Sequence, residues 1–202
     1  MEAPPLTRLR SALLARTPAR VPDAVSFRAA VALILRSGPS GLDVLFIRRA
    51  DHPRDPWSGQ MAFPGGRSEP GDADLQVTAI RETVEEIGLD LGRMAEYLGP
   101  LDEVRAMARL RPMDLAITPF VFHLGSEAEM TAGEEVTSIH WLPLDGLLSP
   151  EARSSHEYRH EGGVLSFPCL RLQGVVIWGL TYRMLASFTA LLAEPGAESP
   201  RP

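Results

Sequence analysis

The order of apolar and polar stretches along the chain predicts a mixture of strands and helices. Residues 27–36 and 43–49 are rich in aliphatic and β-branched side chains, and a turn rich in Gly and Ser at 37–41 separates them, so the two predict a β-hairpin. Further apolar stretches predict strands near 61–63, 96–104, 114–124, 136–142 and 164–170. The elements do not alternate as regular βαβ units, which favours an α+β fold with a central mixed sheet.

Three segments predict helices. They are residues 6–15, residues 73–88 with Gly88 ending the helix, and a final helix over about 176–193. In the middle helix, four apolar residues recur at spacings of three and four, which predicts a stripe facing the core. These residues are Val77, Ile80, Val84 and Ile87.

The polar segments between these elements predict loops and the division of the chain. Gly, Pro and polar residues are concentrated in 50–60, 64–72 and 149–162, which we interpret as loops. We expect a helical extension over 1–22, a folded domain over 23–194 and a disordered tail over 195–202.

Composition narrows the classes of function. The chain has 202 residues, of which 45% are hydrophobic, enough for one domain with an ordinary core. Its net charge of −6 disfavours binding to nucleic acid, and no apolar run is long enough to suggest a membrane span. The single cysteine, Cys169, excludes an intrachain disulfide and fits the cytoplasm. All 20 basic residues are arginines, so a planar guanidinium must serve wherever a permanent cation meets a phosphate.

Three glutamates in the middle helix are the first candidates for chemistry. Glu82, Glu85 and Glu86 fall on the side opposite the apolar stripe, where their carboxylates repel one another. A hard divalent cation such as Mg²⁺ resolves that repulsion, although a solvated acidic helix face is the alternative. Glycines in the preceding loop, at 65, 66 and 71, let the backbone approach a ligand closely and favour the metal interpretation.

Residues 65–89 resemble the Nudix box, in which a Gly-containing loop leads to the pattern Arg-Glu-hydrophobic-any-Glu-Glu-any-Gly-hydrophobic. The residues in register are Arg81, Glu82, Glu85, Glu86, Gly88 and Leu89. Thr83 stands in a hydrophobic position, and Asp72 replaces the first Glu with eight residues, instead of seven, before Arg81. The support role of that first Glu is therefore open between Asp72 and Glu69. The resemblance implies the Nudix fold, an α/β/α sandwich around a mixed sheet, and hydrolysis of a diphosphate.

A second resemblance concerns the substrate. Residues 45–66 resemble the signature of the coenzyme A diphosphatase branch of Nudix enzymes, through Arg49, Ala50, Arg54, Gly59 and the Phe-Pro-Gly-Gly of 63–66. Four residues separate Arg54 from Gly59 where three are expected, and residues 177–185 also resemble this branch. The resemblance implies cleavage of coenzyme A to 4′-phosphopantetheine and adenosine 3′,5′-bisphosphate.

The resemblance also implies roles for individual residues near the box. Glu82 and Glu86 would be the main ligands of Mg²⁺ or Mn²⁺, with the carbonyl of Gly66 completing the shell. Glu85 would serve as a further ligand or as the base. Arg81 would orient the glutamates electrostatically.

Other candidates lie outside the helix. Glu135, before a predicted strand, is a candidate distal base or ligand, although acidic residues in a turn are often simply solvated. Arg49, Arg54 and Arg67 are candidates for binding substrate phosphate, since arginine suits bidentate contacts. The alternative for Arg49 and Arg54 is pairing with acidic surface residues.

Three functions follow from these residues. The first is a coenzyme A diphosphatase, and the second is a Nudix hydrolase of another nucleoside diphosphate derivative, such as ADP-ribose, a dinucleotide or a damaged nucleotide. The third is an inactive Nudix-like binding module, which the loss of a glutamate from the box would favour. No glutamate of the cluster is lost.

Overall fold

A computed structural model describes residues 5–21, 25–39, 41–53, 55–108, 111–160 and 162–192. Eight strands in these ranges form one sheet. They are β1 (Phe27–Gly38), β2 (Gly41–Arg49), β3 (Met61–Ala62), β4 (Gly65–Arg67), β5 (Ala95–Pro100), β6 (Val104–Ala108), β7 (Arg111–Leu124) and β8 (Val136–Pro143).

Strand β1 is at the centre of this sheet. It runs parallel to β7 and antiparallel to β2 and β4. Strand β7 also pairs with β5 and β6, and β2 also pairs with β3 and β8. Both the predicted hairpin and the predicted mixed sheet are therefore confirmed.

The other described elements are a second sheet and five helices. Strands β9 (Arg153–His160), β10 (Gly163–Leu172) and β11 (Val175–Trp178) form an antiparallel meander. The helices are α1 (Pro5–Leu14), α2 (Leu75–Ile87), α3 (Leu91–Met94), α4 (Leu144–Leu148) and α5 (Gly179–Ala190), with a 3₁₀ turn at Pro150–Ala152.

Apolar side chains fill both faces of the main sheet. Because successive side chains of a strand point to opposite faces, Leu33 and Ile34 of β1 enter different clusters. Leu33 belongs to the cluster that contains Leu9 of α1 and Phe188 of α5. Ile34 belongs to the one that contains Ile87 of α2. This arrangement is the predicted α/β/α sandwich.

Helix α2 differs from its predicted orientation. Of the predicted apolar stripe, Ile87 is fully buried and Ile80 packs against the core, whereas Val77 and Val84 are 38% and 42% exposed. The prediction that this stripe faces the core was therefore right for the two isoleucines and wrong for the two valines. Besides Ile87, the buried side chains of α2 are those of Thr78, Ala79, Thr83 and Glu86. The buried hydroxyl of Thr83 donates to the carbonyl of Ala79 at 2.7 Å, which satisfies it inside the helix.

Several segments differ in secondary structure from the sequence prediction. The strand predicted near 96–104 is divided into β5 and β6, with residues 101–103 between them. The predicted loop 149–162 contains β9, whose polar residues form a strand because β10 pairs along its whole length. The predicted last helix begins at Gly179, since the β-branched residues before it form β11. The predicted loop 64–72 contains β4, which pairs with β1.

The division of the chain into extension, domain and tail stays a prediction. Helix α1, in the expected extension, buries Leu9 and Leu13 in the same cluster as the main sheet. The expected tail at 195–202 lies outside the described residues. None of the helices in the described part of the chain is both long and apolar enough to cross a membrane.

Gly65 leaves no room for a side chain, and Gly71 provides a matched control a few residues later. At Gly65, φ is 150°, and an added Cβ would stand 2.2 Å from the carbonyl oxygen of Ala30. An added Cβ at Gly71 meets nothing within 4 Å. We expect Gly65→Ala to lower the free energy of unfolding by about 2 kcal/mol or more, and Gly71→Ala to change it by less than about 0.5 kcal/mol. Urea denaturation measures both variants, and equal midpoints would contradict the prediction.

Candidate active site

Helix α2 is fixed at both ends beside strand β4. The Asp74 carboxylate accepts a hydrogen bond from the backbone N–H of Val77 at 2.9 Å and caps the first turn. Gly88 ends the helix with φ of 71°, a left-handed conformation that suits glycine. Between these caps, Glu82 and Glu86 lie one turn apart, and both carboxylates reach the two glycines at the start of β4.

Glu86 is almost completely buried, with 5% of its side chain exposed. One carboxylate oxygen, Oε2, accepts the N–H of Gly65 at 2.8 Å, and the other lies 3.7 Å from Nη1 of Arg49. Burial is the largest influence and raises the pKa of Glu86 to about 7. The Gly65 N–H and Arg49 lower this pKa, while Glu82 and Glu135 raise it.

The carboxylate of Glu82 lies directly against Gly66. A Cβ added at Gly66 would stand 2.5 Å from the Glu82 carboxylate, so this contact requires glycine. Burial raises the pKa of Glu82, Arg81 lowers it, and the negative charges of Glu85 and Glu135 raise it further. Glu82 and Glu86 are therefore two partly desolvated carboxyl groups within the influence of other carboxylates.

Arg81 connects the glutamates to the preceding loop. Its Nε and Nη2 donate to the two carboxylate oxygens of Asp72 at 3.0 and 3.2 Å, a bidentate pair. The same guanidinium lies 2.9 Å from Glu82 and donates to Glu85 at 3.1 Å. It also donates to the carbonyl of Arg67 at 3.0 Å.

The structure distinguishes the two candidates for the support role in the box. Asp72 makes the side-chain contact with Arg81, whereas Glu69 contributes its backbone N–H to Asp72 at 2.9 Å. Thr78 donates its hydroxyl to Asp72 at 2.8 Å. Together, and with Arg81 first, these donors hold the pKa of Asp72 far below its usual range. Although eight residues, instead of seven, separate Asp72 from Arg81, the Asp72 carboxylate still contacts the Arg81 guanidinium.

These side chains border a cavity of about 410 Å³, which we call the main cavity. The predicted site residues that line it are Arg49, Gly66, Arg67, Arg81, Glu82, Glu85 and Glu135. Glu86 contacts Gly65, which is also in the lining. The structure thus brings the predicted residues from β2, β4, α2 and the loop before β8 to one place.

Other lining residues were not predicted as site residues. They include Trp57, Gln60, Leu180, Thr181 and Met184. Thr181 donates its buried hydroxyl to the carbonyl of Met61 at 2.9 Å, which ties α5 to β3 beside the cavity. The resemblance over residues 177–185 was the available signal for the α5 residues, and the Trp-Ser-Gly-Gln sequence at 57–60 was the signal for Trp57 and Gln60.

The candidate phosphate-binding arginines have different surroundings. Arg49 donates from Nε to Asp55 at 2.7 Å, the acidic partner that the alternative interpretation expected, but it also faces Glu86. Arg67 lines the main cavity with its guanidinium carbon 5.2 Å from the centre of the Phe27 ring. Arg54 lies outside the described residues.

The donor set fits a divalent cation. Two carboxylates of raised pKa lie against backbone at Gly65 and Gly66, and Mg²⁺ and Mn²⁺ favour such oxygen ligands. Among the described residues, no three His, Cys, Asp or Glu side chains already stand close enough to hold one ion. Arg81 engages Glu82 and Glu85, so ligation would require these two carboxylates to turn from the guanidinium.

Glu86→Gln tests the raised pKa through stability. Between the usual pKa of 4.5 and about 7, the folded protein keeps a proton on Glu86 that the unfolded chain releases, so stability falls as pH rises through this window. Glutamine cannot ionise, and its Oε1 still accepts the Gly65 N–H. In chelator we expect the variant to exceed wild-type stability by about 1–3 kcal/mol near pH 8, and by much less near pH 5. Urea denaturation at both pH values measures the difference; a gap independent of pH would contradict the prediction.

Sequence comparisons place the chain among known relatives. A family model described as the NUDIX domain matches residues 26–161. An uncharacterized Nudix hydrolase, NudL, of Yersinia pestis is 32% identical over 166 residues, which are 79% of this chain and 76% of that protein. An uncharacterized protein of Schizosaccharomyces pombe is 42% identical over 115 residues, 55% of this chain. The matched region spans only 35% of that relative's length.

Solved structures share the fold at low sequence identity. A NUDIX hydrolase from Alicyclobacillus acidocaldarius has a TM-score of 0.50 and 21% identity, covering 88% of this chain and 95% of that one. A C. elegans Ap4A hydrolase, in a binary complex, has a TM-score of 0.50 and 20% identity, covering 59% of this chain and 81% of that one. With the family match over residues 26–161 and the related NudL sequence, these findings show that the chain belongs to the Nudix hydrolase family.

Proposed function

We propose that this Nudix hydrolase cleaves the diphosphate of coenzyme A with a divalent metal ion. The observation that carries the diphosphatase activity is the pairing of Glu82 and Glu86 with Gly66 and Gly65 in one cavity. The choice of coenzyme A rests on the resemblance of residues 45–66. Several residues of that segment, including Arg49, Trp57 and Gln60, line the same cavity, which supports a role in substrate selection.

The metal ion would be held by Glu82 and Glu86 with the carbonyl of Gly66, and Glu85 is the candidate further ligand. Mg²⁺ or Mn²⁺ would supply neutralisation of the diphosphate, polarisation of a phosphoryl oxygen and a lowered pKa for the attacking water. Arg81 would limit the repulsion among the glutamates, because it is paired with both Glu82 and Glu85.

The chain's own residues would position the reactants. The oxygen of a water molecule forms a bond to one phosphorus, and the bond from that phosphorus to the bridging oxygen breaks. The bridging oxygen leaves with the other phosphate, and the water proton passes to a carboxylate. Glu85 and Glu135 are the candidate bases, since both are exposed and line the cavity. Arg49 and Arg67 offer guanidinium groups to the substrate phosphates.

A second candidate is hydrolysis of a nucleoside diphosphate derivative that lacks a 3′-phosphate, such as ADP-ribose. The described arginines in the main cavity are Arg49, Arg67 and Arg81. Arg49 and Arg81 are paired with carboxylates around the catalytic end, and Arg67 lies over Phe27. None of these three arginines is placed to bind a 3′-phosphate distant from the diphosphate. The lining of the main cavity therefore favours a substrate that lacks this phosphate.

Metal dependence is the first test. Hydrolysis should disappear in excess chelator and return with Mg²⁺ or Mn²⁺, because the clustered carboxylates need a cation to accept a diphosphate. Glu82→Gln should lower kcat by about 10²-fold or more, the scale of losing a strong electrostatic contribution. Glu127→Gln, which changes an exposed glutamate after β7, is the matched control and should keep the wild-type rate. Full activity in chelator, or a wild-type rate for Glu82→Gln, would exclude the proposed metal site.

Substrate choice requires a product-resolved assay. Coenzyme A, dephospho-coenzyme A, ADP-ribose, NADH and nucleoside triphosphates should be compared at equal concentration by chromatography of the products. We expect coenzyme A to have the highest kcat/KM, with 4′-phosphopantetheine and adenosine 3′,5′-bisphosphate as products. A clear preference for ADP-ribose or a triphosphate would contradict the choice of substrate and leave the diphosphatase proposal in place.

A further inference from the structure

A second cavity adjoins the main cavity. It has a volume of about 330 Å³ and is lined by residues of β6, β9, β10, β11, the beginning of α5 and the loop before β3. Trp57, Gln60 and Leu180 line both cavities, so the two cavities meet at these residues. A ligand bound in the main cavity and longer than it therefore has a second binding space beside it. We call this second space the aromatic cavity.

Aromatic rings are concentrated around this cavity. Two of the chain's three tryptophans and two of its three tyrosines line it, although aromatic residues make up only 6% of the sequence. The ring of Trp178 lies 4.3 Å from His156, 5.6 Å from Tyr158 and 6.0 Å from Phe167 between centroids, and it remains partly exposed. Large, partly exposed rings in a concave wall are suited to stacking on a planar ligand.

The charge of the aromatic cavity is opposite to that of the main cavity. Arg183 is the only charged residue among the described side chains that line it. The main cavity, by contrast, is lined by four glutamates and three arginines, so its charged lining has a net charge of −1. Arg183 follows Leu180 by three residues, so both lie on the same side of α5. An anionic group of a ligand, at a distance from the glutamates of the proposed metal site, should therefore bind more favourably in the aromatic cavity than in the main cavity.

We propose that the aromatic cavity binds the purine base of the substrate and that Arg183 receives the phosphate on its ribose. This inference rests on the proposed function, because coenzyme A carries both groups on one side of its diphosphate. The base would stack on the partly exposed ring of Trp178, and the amide of Gln60 offers a donor and an acceptor to its edge. Arg183 is then the cation that the main cavity does not provide for the 3′-phosphate.

The other half of coenzyme A fits this cavity less well. The pantetheine arm is a flexible chain with two amide groups, and each amide loses hydrogen bonds to water when it is buried against apolar walls. The described walls are mainly Trp, Tyr, Phe, Met, Pro and Leu side chains, with few polar partners. A purine presents two apolar faces and confines its polar atoms to its edge, which matches this lining.

Binding of the separated halves tests the inference independently of turnover. Isothermal titration of the whole chain with adenosine 3′,5′-bisphosphate, AMP and 4′-phosphopantetheine gives the affinity of each half. Trp178→Leu should weaken both adenine nucleotides by roughly 10-fold, because it removes a stacking ring. Trp178→Phe should keep most of that affinity. Arg183→Gln should weaken the bisphosphate by roughly 10-fold and AMP by much less, because AMP lacks the 3′-phosphate.

Arg159→Gln is the matched control for the lost charge. Arg159 is exposed and follows Tyr158 in β9, so its side chain points to the opposite face of the small sheet. Its replacement should leave all three affinities unchanged. Because Arg183 is exposed, Arg183→Gln should keep the wild-type unfolding midpoint. This variant therefore tests the inference even if Trp178→Leu does not fold.

Hydrolysis of coenzyme A by the wild type is measured in parallel and separates the two proposals. Weaker nucleotide binding by the variants supports the base site even if the wild type does not hydrolyse coenzyme A. Wild-type hydrolysis with unchanged nucleotide binding in Arg183→Gln and in a folded Trp178→Leu overturns the base site alone. Selective loss of 4′-phosphopantetheine affinity in Trp178→Leu also overturns it and assigns the aromatic cavity to the other arm.

Discussion

Mutual repulsion among glutamate carboxylates beside the main cavity is the constraint around which the site is organised. The carboxylates concerned are those of Glu82, Glu85, Glu86 and Glu135. Glu82 and Glu86 are also desolvated, which further disfavours their charged forms. The Arg81 guanidinium pairs with Glu82 and the N–H of Gly65 donates to Glu86, which offsets part of this repulsion and desolvation. Asp72 holds Arg81 in place through a further hydrogen bond. The remaining excess of negative charge is what would favour a divalent cation in the proposed metal site.

This arrangement explains why α2 packs in an unusual way. A helix normally turns its apolar stripe to the sheet, but here the face toward β4 has to carry Glu86. Small residues such as Ala79 and Thr83 share that face, and they let the helix approach the sheet closely enough for Glu86 to reach the Gly65 N–H. Val77 and Val84 are left partly exposed as a result. The stability that apolar packing would provide is given up where the site needs a buried carboxylate.

Local sequence patterns were sufficient to predict strands β1 and β2 and the end of helix α2. Strands β1 and β2 are apolar runs joined by a turn, and α2 ends at a glycine, so nearest neighbours decide their structure. Strand β9 is different, because its polar sequence becomes a strand only through pairing with β10. For a related reason, the apolar periodicity of α2 did not predict that its valines are exposed. The position of β4 decides which face of the helix is buried.

The same division holds for the candidate site. Motif spacing was enough to select Arg81, Glu82 and Glu86, because they lie within two turns of one helix. The choice between Asp72 and Glu69 depended on how the loop folds back on Arg81, which spacing alone does not determine. The walls of both cavities join segments far apart in sequence, as the bond between Thr181 and Met61 across 120 residues shows. Such walls follow from the tertiary fold and leave only weak local signals.

The pairing of β4 with β1 has a further consequence for motion. Glycines often occur in flexible loops, but here Gly65 and Gly66 pair with Val31 and Ala30 of the central strand. Opening this segment would expose the middle of the main sheet, so it should open only together with the most stable part of the fold. Amide protons along β4 should accordingly exchange with solvent as slowly as those of the core, and any adaptation to different substrates falls to the side chains and outer loops of the cavity.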